Sequence, residues 1–211
     1  MTETKGTTTE QTTERVKQRR LRPDARREAI VTSAAALFVE KGGFDMTMTA
    51  IAKALGISRN LVYHYFQNQE ALIEAVIDYE TLELQRRFKT LPLEPQKEAL
   101  ESVVRTYVEF VIAHAHGLST MLASAEMRTR LRPYHDRNTM VISELCAQIY
   151  GVELNGAYRS ALIASVDFMA AFTGTQADYL KAYPETAVKT CVQVFESAMA
   201  GAKAISLTKS A

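Results

Sequence analysis

The chain has 211 residues, 47% of them hydrophobic, and its 25 Lys and Arg against 24 Asp and Glu leave a formal net charge of +1. That length and composition suit a small head plus a larger domain with a substantial core. No apolar run approaches the roughly 20 residues of a membrane span, which excludes an integral membrane protein of the helical kind.

The first 22 residues are rich in Thr, Glu and Gln and turn basic at Arg15, Lys17, Arg19, Arg20 and Arg22. They lack the apolar centre of a signal peptide, and the composition predicts a disordered arm. From Arg15 to Phe66 the chain carries +6, which leaves −5 for the remainder. A near-neutral total thus hides a basic N-terminal module, suited to neutralising phosphates and releasing their counterions. Pro23-Asp24 opens the first predicted helix, with Ile30, Ala34, Leu37 and Phe38 as its apolar stripe. Lys41-Gly42-Gly43 supplies a basic last turn and C-cap glycines.

Met48 to Phe66 reads MTAIAKALGISRNLVYHYF and has the layout of a helix-turn-helix. Thr47 is placed to cap the second helix, which runs to about Leu55. Gly56 stands at the turn, where a left-handed backbone is commonly needed. Ser58 is a good N-cap for a third helix ending near Tyr65. Ile51, Leu55, Ile57, Val62 and Tyr65 are spaced to close a small core, and Ala52 permits close crossing. Arg59, Asn60, Tyr63 and His64 fall on the other side of the third helix. These residue types hydrogen-bond base edges or phosphates. The bland alternative is a small amphipathic hairpin with a polar outer face; the basic flank argues for DNA.

Asn68 is placed to cap a fourth helix reaching about Phe88. Leu91-Pro92-Leu93-Glu94-Pro95 then breaks the chain. Long helical patterns follow, from about Gln96 to Ala115, Ser119 to Leu131, Pro133 to Tyr150, Gly156 to Ala182 behind Asn155, and Glu185 to Ile205. No β-alternation, repeat or heptad is present. The predicted fold class is all-α: a disordered basic arm (1–22), a three-helix head (23–67), a connecting helix (68–90) and a larger helical domain (91–211).

The first quarter of the chain resembles the TetR family of bacterial transcriptional regulators. The residues that carry the resemblance are Arg27-Glu28-Ala29-Ile30, Ala35-Ala36-Leu37-Phe38, Lys41-Gly42-Gly43-Phe44, Ile51-Ala52, Leu55-Gly56-Ile57-Ser58, Val62-Tyr63-His64-Tyr65-Phe66 and Glu70-Ala71-Leu72. The resemblance implies a homodimer whose heads bind an inverted-repeat operator in double-stranded DNA. The C-terminal domain would hold a small effector, and the last two helices would form the dimer interface. Thr47 and Thr49 would then meet the DNA backbone, or a base in the case of Thr49. Arg59 and Asn60 would face bases; Tyr63 and His64 would touch phosphates and nearby base edges. Arg22 in the arm and Ser58 at the cap complete the expected DNA-binding set, with Gln69. Many members carry a lysine where this chain has Gln69, and a small polar residue where it has Leu61. The doubled glycine Gly42-Gly43 also departs from the pattern.

In the larger domain the candidate effector contacts are Tyr107, Phe110, His114, Met121, Met127, Tyr134, Phe168, Met169 and Phe172, each of which also suits a plain core position. They favour a mainly hydrophobic, aromatic or acyl-like effector. Asp167 lies inside an apolar run, where a carboxylate wants a cationic ligand, a partner arginine, a dimer interface or water. His114 and His116 point to different helix sides, so no metal site is expected. Catalytic and phosphate-cradling motifs are absent, so neither an enzyme nor a cofactor is expected. Cys146 and Cys191 read as buried free thiols of a cytoplasmic protein. Two functions remain: a repressor released by an effector, and a constitutive or partner-docking DNA-binding dimer without one.

Overall fold

A computed structural model describes residues 22–41, 47–123 and 125–208, except for the side chains of Lys41, 115–123, Ala177 and Asp178. The arm before Arg22 and the turn at Gly42-Gly43 lie outside the described residues. Nine helices and no strand occur among those described: α1 (Pro23–Lys41), α2 (Met48–Leu55), α3 (Arg59–Tyr65), α4 (Gln69–Phe88), α5 (Gln96–Ala123), α6 (Ala125–Tyr150), α7 (Gly156–Thr175), α8 (Ala177–Ala182) and α9 (Pro184–Thr208). The chain divides into two compact units at Tyr79/Glu80, a point inside α4.

The first unit sets two short helices, α2 and α3, with local stops beside the longer α1. Thr47 accepts a hydrogen bond from the Ala50 amide at 3.1 Å, and Ser58 accepts one from Leu61 at 3.2 Å. Asn68 does the same for Ala71 at 2.8 Å at the start of α4. Each satisfies one amide that the first helical turn leaves without a partner. Between α2 and α3, Gly56 adopts φ 62° and ψ 31°. Its amide donates to the Lys53 carbonyl and the Ile57 amide donates to Ala52. This paired closure needs a left-handed residue, which glycine adopts without a Cβ clash. Ile30, Ala34, Phe38, Met48, Ile51, Ala52, Val62, Phe66, Leu72 and Val76 are buried.

The second unit packs α5, α6, α7 and α9 around one core, with α7 against α9 as its most extensive pairing and α8 against α5. Leu100, Val104, Val108, Ile142, Cys146, Leu162, Val166, Met169, Cys191 and Phe195 form its centre. Three helix boundaries differ from those expected. The α5 helix continues past Ala115 to Ala123, because the single glycine at 117 costs only about 1 kcal/mol and does not stop a helix. Pro133 does not begin a helix but sits within α6. Leu131, Thr139, Ile142, Cys146 and Ile149 keep one buried stripe running across it, so packing outweighs the lost backbone bond. Finally, α7 ends at Thr175 instead of running to Ala182, and α8 restarts it. Thr173 and Thr175 turn their hydroxyls back onto the carbonyls of Met169 and Ala171, each at 2.7 Å, around Gly174. Poor helix formers and side-chain competition for the backbone end the helix there. Asn155 occupies the N-cap position of α7 but makes no capping bond; its amide donates to Glu153 at 2.7 Å.

Candidate nucleic-acid interface

The α3 helix has only seven residues, so its two faces are quickly accounted for. At about 100° per residue, positions 59, 60, 63 and 64 span one arc and 61, 62 and 65 the other. Val62 is fully buried, with Phe66 just beyond the helix nearly so, and Leu61 and Tyr65 half-buried. Arg59, Asn60, Tyr63 and His64 are all exposed. One face is therefore spent on the core, and the other presents a guanidinium, an amide, a phenol and an imidazole to solvent.

Within that outer face Arg59 is not a loose side chain. Its Nη2 donates to the Tyr63 hydroxyl at 3.0 Å, and its guanidinium carbon lies 5.2 Å from the centre of the Tyr63 ring. The pair is one turn apart, the spacing at which helix side chains meet. Holding the guanidinium beforehand lowers the rotamer entropy lost on binding. Tyr63, expected as a phosphate contact, therefore also positions Arg59. His64 stands edge-on to Tyr65, with 5.3 Å between ring centres. The aromatic ring of Phe66 carries Arg27 of α1 at 5.0 Å.

Arg22, Thr47, Thr49 and Ser58 are exposed as well, and Gln69 is half-buried. Thr47 and Ser58 have their side-chain oxygens engaged in the caps just described, at the N-terminal ends of α2 and α3. Those ends are where helix amides and dipole favour a phosphate. Arg26 is buried, at 6% exposure. It stands four residues before Ile30, one helical turn along the same face, so the periodicity of the stripe already places it against the core.

In the second unit the effector candidates scatter. Met169 is fully buried in the core. Tyr107 is buried too, and burial, then Cys191, then Asp167 push its phenol well above the usual range. His114 is buried beside Phe110, with ring centres 4.2 Å apart; its Nδ1 donates to the Phe110 carbonyl at 2.7 Å. Its Nε2 lies 3.3 Å from a carboxylate oxygen of Glu80. Tyr134 sits under the Arg137 guanidinium at 5.4 Å, and Met127 is half-buried. Phe168 and Phe172 stack at 5.5 Å, with Phe168 39% exposed on the outer side of α7. The Met121 side chain lies outside the described residues. Asp167 is exposed and accepts a bond from His135 Nε2 at 3.1 Å, so its partner is a histidine of α6 that sequence reasoning passed over.

Among the described residues, two clefts of this unit are lined by other side chains than those candidates. One, of about 460 Å³, involves Gln96, Lys97, Leu100, Tyr150, Tyr158, Met199 and Lys203. The other, of about 330 Å³, involves Phe88, Leu91, Leu93, Val141 and Leu145. The residues of both come from α4, α5, α6, α7, α9 and the segments that join them, which periodicity alone does not bring together. Cys146 and Cys191 are free and buried, and burial pushes both thiols up to about 12. They stay protonated near neutral pH and are poor nucleophiles. Among the described residues no group of His, Cys, Asp and Glu is arranged for a metal ion, and no helix is long and apolar enough to cross a membrane.

The family model described as bacterial regulatory proteins, tetR family, matches residues 30–76, which span most of α1 through the first part of α4. No curated protein matches the sequence. Solved structures match the fold over most of the chain. A tetR-family transcriptional regulator from Streptomyces coelicolor is 23% identical with a TM-score of 0.66, covering 85% of this chain and 83% of its own. A putative TetR-family regulator from Rhodococcus sp. is 18% identical with a TM-score of 0.62, covering 83% and 99%. Another from Mesorhizobium loti is 18% identical with a TM-score of 0.63, covering 84% and 98%. The tetR-family match thus falls on the helix-turn-helix region at residues 30–76, and the chain shares the all-helical fold of these solved structures over most of its length.

Proposed function

We propose that the protein is a homodimeric repressor that holds a palindromic operator and releases it when a small, mainly hydrophobic effector binds the C-terminal domain. The observation that carries the DNA reading is the outer face of α3, with Arg59 held by Tyr63 and Asn60 beside it. An arginine reads guanine O6 and N7 in the major groove, and an asparagine reads adenine N6 and N7. Thr47, Thr49, Ser58, Tyr63, His64 and Gln69 would position the head on phosphates, and Arg22 would begin the arm's contacts. The division into arm (1–22), head (23–67), connecting helix (68–90) and effector domain (91–211) follows from the same reading.

Dimerisation is assigned to the outward strips of α7 and α9. On α7 these are Ala164, Phe168 and Ala171, and on α9 Val194, Ala198, Gly201 and Ile205, which share one side of that helix. A Cβ on Gly201 or Gly174 would meet nothing within 4 Å in the protomer. Ala202, by contrast, faces its own core at 3% exposure and is not available to a partner. An effector among Tyr107, Phe110, His114, Met121, Met127, Tyr134, Asp167 and Phe172 would act by shifting α4 and thereby the spacing of the two heads. Coupling of this kind is reciprocal, so operator DNA would weaken the effector by the same factor.

Operator selection from random DNA, followed by fluorescence anisotropy, tests the proposal. The selected site should be an inverted repeat that places its half-sites about 34–36 Å apart or a multiple of that. Arg59→Ala should cost about 1–3 kcal/mol on this site and relax one base pair per half-site. Equal weakening on all sequences would remove Arg59 from base reading. Gly201→Phe should yield monomers that no longer hold the operator, without loss of protomer folding; tight binding by such monomers would sink the dimer assignment.

A further inference from the structure

The cleft of about 460 Å³ in the second unit has a chemical character of its own. It lies between the first turn of α5, the end of α6, the start of α7 and the last third of α9. Leu100, Val152 and Met199 give it apolar walls, and Lys97 and Lys203 are exposed cations on its rim. About 460 Å³ lies within the range of sites that hold small molecules. At its wall the Tyr150 hydroxyl is closed to solvent and has no hydrogen-bond partner among the described residues. Burial, together with the nearby Cys146 and Glu196, pushes that phenol up to about 12, so it remains a neutral donor. A buried hydroxyl without a partner is costly and unusual, and a ligand atom is one way to satisfy it.

The placement of charge along α9 is also directional. Glu196 and Lys203 are seven residues apart, two helical turns or about 10 Å. Glu196 acts on the Tyr150 phenol, while Lys203 stands two turns further along α9 and Lys97 joins the lining from α5. On α9, positions 196, 199, 200 and 203 fall on the side away from 194, 198, 201 and 205. A dimer formed through the latter strip would leave the former side of the helix uncovered.

We propose that this cleft binds a small amphipathic acid, its carboxylate held by Lys97 and Lys203, its apolar body lying on Leu100, Val152 and Met199, and Tyr150 donating to a polar group further in. The site is separate from the effector candidates above. Whether it also regulates DNA binding rests on the regulator reading, but binding itself does not.

The test is calorimetric titration of the free full-length protein, without DNA, with 6-hydroxy-2-naphthoate, 2-naphthoate and the uncharged 2-naphthamide. Both acids should saturate one site per chain, the hydroxylated one more tightly. Lys97→Gln combined with Lys203→Gln should weaken both acids at least tenfold and leave the amide unchanged. Tyr150→Phe should erase the advantage of the hydroxyl group. Ala200→Trp, at an exposed lining position, should fill the cleft and abolish all three, with circular dichroism reporting an intact fold. No saturable binding of either acid below about 1 mM, where binding is already as weak as about 4 kcal/mol, overturns the proposal. So does acid binding that survives both the double lysine variant and Ala200→Trp. Because operator binding is measured separately, failure here leaves the DNA reading standing, and the reverse holds.

Discussion

The two units of this protein are specified by different means. In the head, α2 and α3 have eight and seven residues, and each starts at a side-chain cap and lies against a glycine turn. Helices so short are not stable alone, so a single cap or a single left-handed glycine is a large fraction of what defines them. In the second unit α5, α6 and α9 have 25 to 28 residues, and α7 starts without any capping bond from Asn155. There the helices are held by a core centred on fully buried side chains such as Phe195, Ile142 and Leu162. Local chemistry sets the first unit; burial sets the second.

If that contrast is right, the largest stability loss belongs to the second unit's core. Phe195→Ala should cost about 3–5 kcal/mol in urea or guanidinium unfolding, from lost transfer energy and the cavity left behind. A loss under about 1 kcal/mol, the scale of a single cap, would break the comparison. Next comes the head's turn. Gly56→Ala places a Cβ at φ 62° and should cost about 1–2 kcal/mol, read as a lower unfolding midpoint, with operator affinity falling in parallel. Were Gly56→Ala neutral, the turn would not depend on its left-handed backbone.

Ser58→Ala should cost about 1 kcal/mol by removing the acceptor for the Leu61 amide. Asn155→Ala at the start of α7 should cost measurably less, because no capping bond is lost. Equal losses at the two positions would erase the distinction between locally and globally held helices. The smallest effect concerns pH. Arg105 lies against Glu185 and holds its carboxylate below the usual range. A depressed carboxylate stabilises the fold above its ordinary value and loses that contribution as pH falls through the lowered one. Glu185→Gln should therefore slightly flatten the acid-side loss of stability as pH falls below the ordinary glutamate value of 4.5, followed by thermal melts. Since the carboxylate is exposed, a steep change in that window would mean a buried partner had been overlooked.

The readable parts of the sequence were those whose cause lies within a few residues. Thr47, Gly56, Ser58 and Asn68 announced the head because a cap or left-handed turn acts on amides two to five positions away. The outward set Arg59, Asn60, Tyr63 and His64 followed from helical periodicity once those ends were fixed. What the residues could not announce was packing. Pro133 looked like a helix start until the stripe from Leu131 to Ile149 showed what held the helix through it. Asp167 found His135 thirty-two positions earlier. The cleft around Tyr150 draws on residues from 96 to 203. Such contacts depend on how long helices lie against one another, and many side-chain choices satisfy the same periodicity. The sequence by itself therefore determined the all-helical class, the head and its presented face; the tertiary structure alone decided where the second unit's helices end and which polar groups its core leaves beside a cleft.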